Sequence, residues 1–322
     1  MNALVNICTM TITKNMMMIN GNIMEDIFID SSILRKKNTV KTNLRFVDTV
    51  PIFSIVEFNI FDTCNRKCAF CPNSNKTRDN KQNKKIDISL YTKTMKDLSR
   101  ISFNGKILYS AFSEPLLNNE IEKLITISKE ILQDCTVEMV SNGDLLNVDK
   151  LIQLFESGLD AINISLYDGP EQIEHFNKMQ ENVGLHRDKI ILRRRYLADD
   201  NYGMTISNRA GLVDSNKYRA IHDNPIEHLP LDRECYYPFY MILIDLNGDV
   251  LLCPHDWSKK LVLGNVDREN IWEIWNNDIL KKIRLMLVNN NRNFSPCIKC
   301  DVYGNLIGRE SFEAWQNYYN LS

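Results

Sequence analysis

Three cysteines with close and regular spacing are the residues best suited to chemistry in this sequence. Cys64, Cys68 and Cys71 follow one another as Cys-x3-Cys-x2-Cys, directly after an apolar run that predicts a strand. Three thiolates this close together in one loop can bind three irons of a cubane iron–sulfur cluster. The fourth iron would then have no protein ligand and would be open to a substrate.

A zinc site and a set of disulfides are the alternatives for these cysteines. Structural zinc usually has four protein ligands, and no fourth cysteine or histidine lies nearby in the sequence. Disulfide frameworks are typical of small secreted chains, whereas this chain has 322 residues and lacks a convincing export signal. The iron–sulfur interpretation is therefore favoured.

The same loop resembles the signature of the radical S-adenosylmethionine (SAM) superfamily. The spacing is similar, and an aromatic residue, Phe70, precedes the last cysteine. The resemblance implies that the amino and carboxylate groups of SAM chelate the open iron, with Phe70 beside them. It also implies that an electron from the cluster cleaves SAM to methionine and a 5′-deoxyadenosyl radical, which abstracts hydrogen from a substrate.

Composition limits the classes of partner. With 44% hydrophobic and 25% charged residues, the chain is typical of a soluble globular protein. Its net charge of −2 gives no reason to expect nucleic acid or an anionic membrane as a partner, and no apolar run approaches the length of a membrane span. Nine cysteines without an export signal suggest metal binding in a reducing cytoplasm.

Strands and helices alternate between residues 51 and 200, after an N-terminal extension of unknown role at residues 1–50. Five apolar strand patterns separated by single helices predict parallel βαβ units. The expected fold class is α/β, with a partial (β/α)6 TIM-like barrel, and Ser89 is expected to cap its first helix. In such barrels functional residues collect at the carboxyl ends of the strands.

Polar motifs lie at the carboxyl ends of four of these strands. They are Ser113-Glu114-Pro115, Ser141-Asn142-Gly143, Ser165 and Arg193-Arg194-Arg195. The motifs resemble those with which radical SAM proteins bind SAM, which implies that Glu114 holds the SAM amino group. Strand alternation puts Arg193 and Arg195 on one side, where an arginine can face the SAM carboxylate. The expected SAM-binding residues are Phe70, Ser113, Glu114, Ser141, Asn142, Ser165, Arg193 and Arg195.

Four further cysteines surround a predicted β-hairpin, which Asn247-Gly248 between two apolar runs indicates. The four are Cys235, Cys253, Cys297 and Cys300. Their spacing resembles the auxiliary-cluster domain called SPASM, and more closely its short form, twitch. The resemblance implies that all four bind a second 4Fe–4S cluster in a small C-terminal hairpin-and-helix domain at residues 201–322. A four-cysteine zinc site is the alternative.

A fully ligated cluster has no open iron for a substrate, which suggests electron transfer as its role. The pair of clusters resembles radical SAM dehydrogenases of aminocyclitol biosynthesis. This implies oxidation of an alcohol of a sugar, cyclitol or related small molecule, with the auxiliary cluster as electron acceptor and flavodoxin or ferredoxin as reductant. The resemblance also implies that Arg209 is the proton acceptor. Because arginine is a poor base, an anchor for a carboxylate or phosphate is the alternative role of Arg209. His255 and Asp256 are alternative acid–base groups or partners of the cluster ligands.

Two other functions stay open. A radical SAM peptide maturase, which makes an epimer or a thioether crosslink in a ribosomal precursor peptide, would use the same cofactors. The first fifty residues are short for a typical peptide-recognition domain, which disfavours this alternative. A non-enzymatic iron–sulfur or zinc protein would not need the SAM-binding motifs. The dehydrogenase is therefore the expected function.

Overall fold

The computed structural model describes residues 18–19, 22–23, 31–74, 82–196, 206–215 and 228–320. Within these ranges the strands are β1 (Met18–Ile19), β2 (Asn22–Ile23), β3 (Phe46–Val47), β4 (Val50–Pro51), β5 (Ile55–Phe58), β6 (Lys106–Tyr109), β7 (Thr136–Ser141), β8 (Ala161–Leu166), β9 (Ile190–Arg194), β10 (Met241–Ile244), β11 (Asp249–Leu251) and β12 (Val262–Asn265). The helices are α1 (Ser31–Thr42), α2 (Ile88–Arg100), α3 (Ile121–Ile131), α4 (Val148–Glu156), α5 (Glu171–Val183), α6 (Tyr237–Tyr240), α7 (Ile271–Trp275), α8 (Asp278–Val288) and α9 (Arg309–Tyr318). No helix in this part of the chain is long and apolar enough to cross a bilayer.

One eight-stranded sheet connects the two cysteine regions. Its strand order is β12-β11-β10-β5-β6-β7-β8-β9, and the six strands from β10 to β9 pair in parallel. β11 and β12 extend one edge with antiparallel pairing. Across the described residues the two edges of the sheet do not pair with each other, so the barrel is open. The predicted α/β fold with parallel βα units is confirmed.

The sixth parallel strand comes from beyond residue 200. β10 pairs with β5 from Met241 opposite Ile55 to Ile244 opposite Phe58. The chain then turns at Gly248, whose φ of +85° suits a tight hairpin turn, and returns as β11. The predicted hairpin is confirmed, and it extends the sheet of the barrel.

Helices α2 to α5 pack side by side along the sheet, because each presents one apolar stripe. In α3 this stripe is Ile121, Leu124 and Ile125, all buried. The prediction that Ser89 caps α2 is wrong. Asp87 is the cap, and its carboxylate accepts hydrogen bonds from the backbone N–H groups of Ser89 and Leu90. Because Asp87 directly precedes the helix, its side chain can reach these unpaired N–H groups of the first turn.

The N-terminal extension contributes helix α1 to the barrel. α1 packs against β9, and the Arg35 Nε atom binds the Glu138 carboxylate of β7 at 2.8 Å. The second oxygen of Glu138 accepts a bond from Lys106 of β6 at 2.7 Å. One buried carboxylate therefore joins α1 to two neighbouring strands.

Candidate active site

The three cysteines predicted to bind the radical cluster lie in one loop after β5. Cys64, Cys68 and Cys71 are half-buried, and the Cys71 backbone N–H donates to the Cys68 carbonyl at 2.9 Å. Burial, and then the charges of Cys71 and Cys64, raises the pKa of Cys68 to about 11. The thiols are therefore close enough to oppose one another's ionisation, so they need a bound cation to be held as thiolates.

This donor set fits a cluster better than a single ion. Among the described residues, no three histidine, cysteine or acidic side chains converge tightly enough to hold one metal ion. Zinc with sulfur ligands at ~2.3 Å would need sulfurs about 3.8 Å apart, whereas the ligands of a cubane bind different irons and lie farther apart. That these cysteines bind iron stays a prediction.

A network of ion pairs and rings anchors the cysteine loop to the loops after β7 and β8. Arg66 binds Asp144 at 2.5 Å and Asp168 at 2.6 Å. Its guanidinium carbon lies 5.0 Å from the centroid of the Tyr167 ring, and Phe70 stacks on the same ring at 6.1 Å. Sequence reasoning missed Arg66 and Tyr167, although both lie inside motifs it had identified.

Glu114 joins the motifs after β6 and β7. Its buried carboxylate accepts hydrogen bonds from the Ser141 hydroxyl at 2.7 Å, the Asn142 N–H at 2.8 Å and the Leu116 N–H at 3.1 Å. Its own N–H donates to the Thr63 carbonyl beside the cysteine loop at 3.0 Å. Burial raises the pKa of Glu114 to about 7. A carboxylate has about four acceptor sites, so one remains for an N–H of an amino group.

Two further predicted SAM-binding residues lie around the cysteine loop. The Asn142 side-chain amide donates to Asn65 at 2.8 Å and approaches the Cys64 sulfur at 3.9 Å. Ser165 is buried at the end of β8, where its side chain hydrogen-bonds with Tyr167. The polar ends of β7 and β8 therefore meet at the cysteine loop, as the barrel prediction requires.

Ser113 belongs to a separate network that crosses to the hairpin. Its hydroxyl donates to the Asn59 amide oxygen at 2.8 Å, and the Asn59 amide nitrogen donates to Asp245 at 2.7 Å. Asp245 also pairs with Lys259. Two buried side chains, at the ends of β5 and β10, thus couple a predicted SAM-binding motif to the region of the second cysteine set.

The arginines at the end of β9 face different ways. The charges of Arg193 and Arg195 both act on the Tyr167 hydroxyl, lowering a pKa that burial raises to about 12. The Arg194 guanidinium carbon instead lies 4.9 Å from the centroid of the Tyr196 ring. The expected alternation is thus present, with Arg193 and Arg195 toward the side of the barrel where Tyr167 lies.

The four cysteines of the predicted auxiliary site also come together. Cys253, Cys297 and Cys300 are buried, and Cys235 is half-buried. Burial raises the pKa of Cys253 well above its usual range, and the charges of Cys297, Cys300 and Cys235 raise it further. Four buried thiols that oppose one another's ionisation can be held as thiolates by a bound cation. They therefore fit an iron–sulfur cluster that all four ligate. This ligand set stays a prediction.

A buried arginine holds the auxiliary site in shape. Arg292 donates to the carbonyl oxygens of Arg233, Glu234, Val302 and Tyr303 at 2.6 to 2.9 Å. It therefore ties the segment containing Cys235 to the segment after Cys300. Gly304 has a φ of +77°, and a Cβ atom there would lie 2.4 Å from the Cys235 sulfur. Neither residue stood out in the sequence.

Arg209 lies against the auxiliary site. The backbone N–H of Asn208 donates to the Asp301 carboxylate at 2.8 Å, directly after the last cysteine of the set. The Arg209 guanidinium carbon is 5.8 Å from the centroid of the Trp257 ring, and its φ is +49°. Its buried Nε has no hydrogen-bond partner in the part of the chain that the structure describes.

His255 lies close to Arg209. Its ring nitrogens are 3.1 Å from the Ser207 hydroxyl and 3.2 Å from the Tyr237 hydroxyl. Burial, followed by the charges of Arg209 and Lys36, lowers the pKa of His255 well below its ordinary value. The ring is therefore neutral and can accept or donate through either nitrogen.

Asp256, the other acid–base candidate, has a local structural role. Its carboxylate accepts hydrogen bonds from the Ser258 hydroxyl and the Leu261 N–H, both at 3.1 Å. Asp256 is fully buried. These bonds stabilise the turn after Cys253, so the contacts favour His255 over Asp256 as the group that faces Arg209.

Two family models match the chain over the two regions just described. The radical SAM superfamily matches residues 58–193, which contain the first cysteine loop and all the predicted SAM-binding motifs. SPASM, an iron–sulfur cluster-binding domain, matches residues 235–301, which contain the second cysteine set. The predicted cofactors, SAM and 4Fe–4S clusters, are confirmed by these matches.

Relatives and solved structures agree with this assignment. The S-adenosyl-L-methionine-dependent 2-deoxy-scyllo-inosamine dehydrogenase of Niallia circulans is 28% identical over 252 residues, which are 78% of this chain and 93% of the relative. The crystal structure of BtrN in complex with AdoMet and 2-DOIA has a TM-score of 0.65 and 25% identity, covering 78% of this chain and 94% of that one. An open conformation of BtrN shares the fold with a TM-score of 0.59, 23% identity and coverage of 81% and 97%. The chain therefore contains a radical SAM domain at residues 58–193 and a SPASM-type iron–sulfur domain at residues 235–301.

Proposed function

We propose that this radical SAM enzyme oxidises an alcohol of a sugar, cyclitol or related small molecule to a carbonyl group. The observation that carries the proposal is the arrangement of two cysteine sets on one sheet, with Arg209 beside the second set. The Niallia circulans relative is named as a dehydrogenase of 2-deoxy-scyllo-inosamine, which supports an alcohol of this class as the substrate.

The proposed oxidation removes one hydrogen atom, one proton and one electron from the H–C–O–H group. When bound, SAM and the clusters supply the radical that takes the hydrogen atom and the acceptor for the electron. The residues of the chain must therefore receive or orient the hydroxyl proton. Arg209 is the predicted proton acceptor. Because the lowered pKa of His255 makes its ring a weak base, as arginine also is, we assign neutral His255 the role of orienting the hydroxyl group through a hydrogen bond.

The remaining residues hold SAM and the substrate in position. Glu114 has a free acceptor site for the SAM amino group, beside its bonds to Ser141 and Asn142. Arg193 and Arg195 supply positive charge for the SAM carboxylate from the side of the barrel where Tyr167 lies. A low-potential reductant such as flavodoxin or ferredoxin and a cytoplasmic location complete the proposal. Both are suggested by the need to reduce a cluster that cysteine thiolates bind.

Product stoichiometry tests the function. Reduced holoenzyme given SAM and 2-deoxy-scyllo-inosamine, deuterated at the carbinol carbons, should form one deoxyadenosine per carbonyl product, with deuterium in the deoxyadenosine. Arg209→Ala should still transfer deuterium but should lose at least about tenfold in carbonyl formation, since one proton-transfer group contributes about 10²–10⁴-fold. The exposed Arg187→Ala is the matched control.

The competing peptide maturase predicts different products. An epimerase returns a hydrogen atom to carbon, so product formed in deuterated water would carry solvent deuterium with no change in oxidation state. That result, with deoxyadenosine but no carbonyl, would contradict the dehydrogenase proposal.

A further inference from the structure

Helix α1 precedes the radical SAM match, which begins at residue 58, and yet it supplies a charge to the interior of the open barrel. α1 packs against β9, and the Lys36 ammonium reaches the Met241 sulfur of β10 at 3.7 Å. α1 therefore spans from one edge of the parallel strands to the other. The bond from Arg35 to Glu138 fixes it there.

Among the described residues, the Lys36 ammonium donates no hydrogen bond to an oxygen atom. It lies 5.3 Å from the centroid of the Tyr237 ring and 5.5 Å from that of Tyr240, and its hydrogen bond goes to a thioether, a weak acceptor. Burial lowers the pKa of Lys36 to about 8, so the group is still mostly protonated at pH 7. Within the described ranges its three donors thus have no oxygen partner, which is a costly state for a buried charge.

Glu57 on β5 lies near Lys36, because Met241, which Lys36 contacts, pairs with Ile55, and Glu57 is on the same face of the strand two residues later. It is 4% exposed, and burial raises its pKa while the charge of Lys36 lowers it. No ion pair within 4.0 Å joins the two, although both side chains are described. Ser110 hydrogen-bonds to Glu57, and the charges of Arg193 and Arg209 also act on it. Side chains from four other parts of the chain therefore act on Glu57 by their charge or by a hydrogen bond.

We propose that Lys36 and Glu57 bind adjacent polar groups of the substrate, and that α1 is thereby a specificity-determining element. The inference rests on the proposed oxidation of a small alcohol. An ammonium group only donates hydrogen bonds and a carboxylate only accepts them, whereas each hydroxyl of a polyol does both. A ring with neighbouring hydroxyls, or with a hydroxyl beside an amine, satisfies the two charges together.

The position of Glu57 favours a neutral or cationic ring over an anionic one. A carboxylate or phosphate placed against Lys36 would also lie near the buried Glu57 carboxylate, and like charges repel strongly where water is scarce. A hydroxyl can instead bridge the gap that separates the two side chains. The substrate class is therefore a polyhydroxylated ring without an acidic group at this end.

Binding without turnover tests the site. Oxidised, SAM-loaded holoenzyme would be titrated calorimetrically, under anaerobic conditions, with scyllo-inositol, 2-deoxy-scyllo-inosamine, glucuronate and glucose 6-phosphate. At least one of the first two should bind. Lys36→Met and Glu57→Gln should each weaken that binding at least tenfold, whereas Lys37→Met, an exposed neighbour on α1, should change it less than twofold.

Several results would overturn the proposal: no binding of either neutral or amino polyol, tighter binding of the acidic probes, or unchanged affinity in both variants. Iron content and sulfide content should match the wild type in Lys36→Met. If they do not, Lys36→Gln repeats the test, and loss of clusters there too would mean that Lys36 is structural. Because no turnover is needed, binding without oxidation would refute the dehydrogenase and leave this site standing.

Discussion

The two cysteine regions are built in opposite ways. The first set lies in a half-buried loop that side-chain ion pairs hold from outside, through Arg66, Asp144 and Asp168. The second set is largely buried, and the guanidinium of Arg292 holds it from inside by binding four backbone carbonyls. Both sets nevertheless stand on one sheet.

The difference in burial between the two cysteine sets agrees with the molecules that must reach each site. A cluster with an open iron has to receive SAM and lie near a substrate, so its loop must leave an accessible face. A fully ligated cluster exchanges only electrons, so its ligands can be buried and its loops closed. The network from Ser113 through Asn59 to Asp245 joins the two kinds of site by hydrogen bonds at the ends of β5 and β10.

Replacing the cysteines of one set at a time should give the largest difference in effect between the two sites. Wild-type protein with two 4Fe–4S clusters should contain about eight irons. Replacing Cys64, Cys68 and Cys71 by Ala should leave about four irons and abolish SAM cleavage. Replacing Cys253, Cys297 and Cys300 should also leave about four irons, but SAM cleavage should persist while carbonyl formation stops.

Anaerobic iron and sulfide analysis, with product analysis for deoxyadenosine, measures these outcomes. Cys135→Ala is the control, because the buried Cys135 directly precedes β7, at the end of that strand opposite Ser141. Zinc instead of iron at the second set would refute the auxiliary cluster and leave the first site intact.

Arg292→Met should damage only the closed site. The substitution leaves four carbonyl oxygens without their charged donor, and we expect a loss of at least about 3 kcal/mol in the free energy of unfolding. Iron should fall toward half of the wild-type content while SAM cleavage continues. Arg309→Met, whose side chain is 76% exposed, is the control. Full iron content in Arg292→Met would show that the cysteine ligands alone shape this site.

The features of both sites that depend on a short stretch of residues can be predicted from the sequence. Cysteine spacing, the hairpin turn at Gly248 and the strand-end motifs are all readable within a few residues. The parts that it does not predict depend on partners far away in the chain. Arg292 binds carbonyls 58 and 59 residues earlier, and Asn59 binds Asp245 across 186 residues.

Helix α1 illustrates the same limit. Its residues are poorly patterned, so the sequence offers no reason to assign chemistry to Lys36 or Arg35. Their role depends on the acidic groups they face, Glu57 and Glu138, which come from strands of the barrel. A buried acidic residue in a strand, such as Glu57 in β5, is the one signal that could have pointed there, because such a charge needs a partner.

Glu114→Gln should give the smallest effect, confined to the open site. Both clusters should assemble, but SAM affinity should fall by ~1.5–3 kcal/mol, because the amide cannot form a charge-assisted bond to the SAM amino group. Glu130→Gln, an exposed neighbour in sequence, should bind SAM normally. Calorimetric titration of SAM into oxidised protein measures both.

The pH dependence of SAM binding sharpens this test. Because burial raises the pKa of Glu114 to about 7 in the SAM-free protein, the carboxyl group is mostly protonated at pH 6 and mostly ionised at pH 8. Only the ionised form accepts a charge-assisted hydrogen bond from the SAM amino group, and this bond lowers the pKa of the carboxyl group. SAM affinity should therefore rise from pH 6 to pH 8 in the wild type. In Glu114→Gln the part of this rise that comes from ionisation of Glu114 should be absent. If the variant keeps both the wild-type affinity and its pH dependence, Glu114 only organises the loop through Ser141 and Asn142, and the SAM amino group is bound elsewhere.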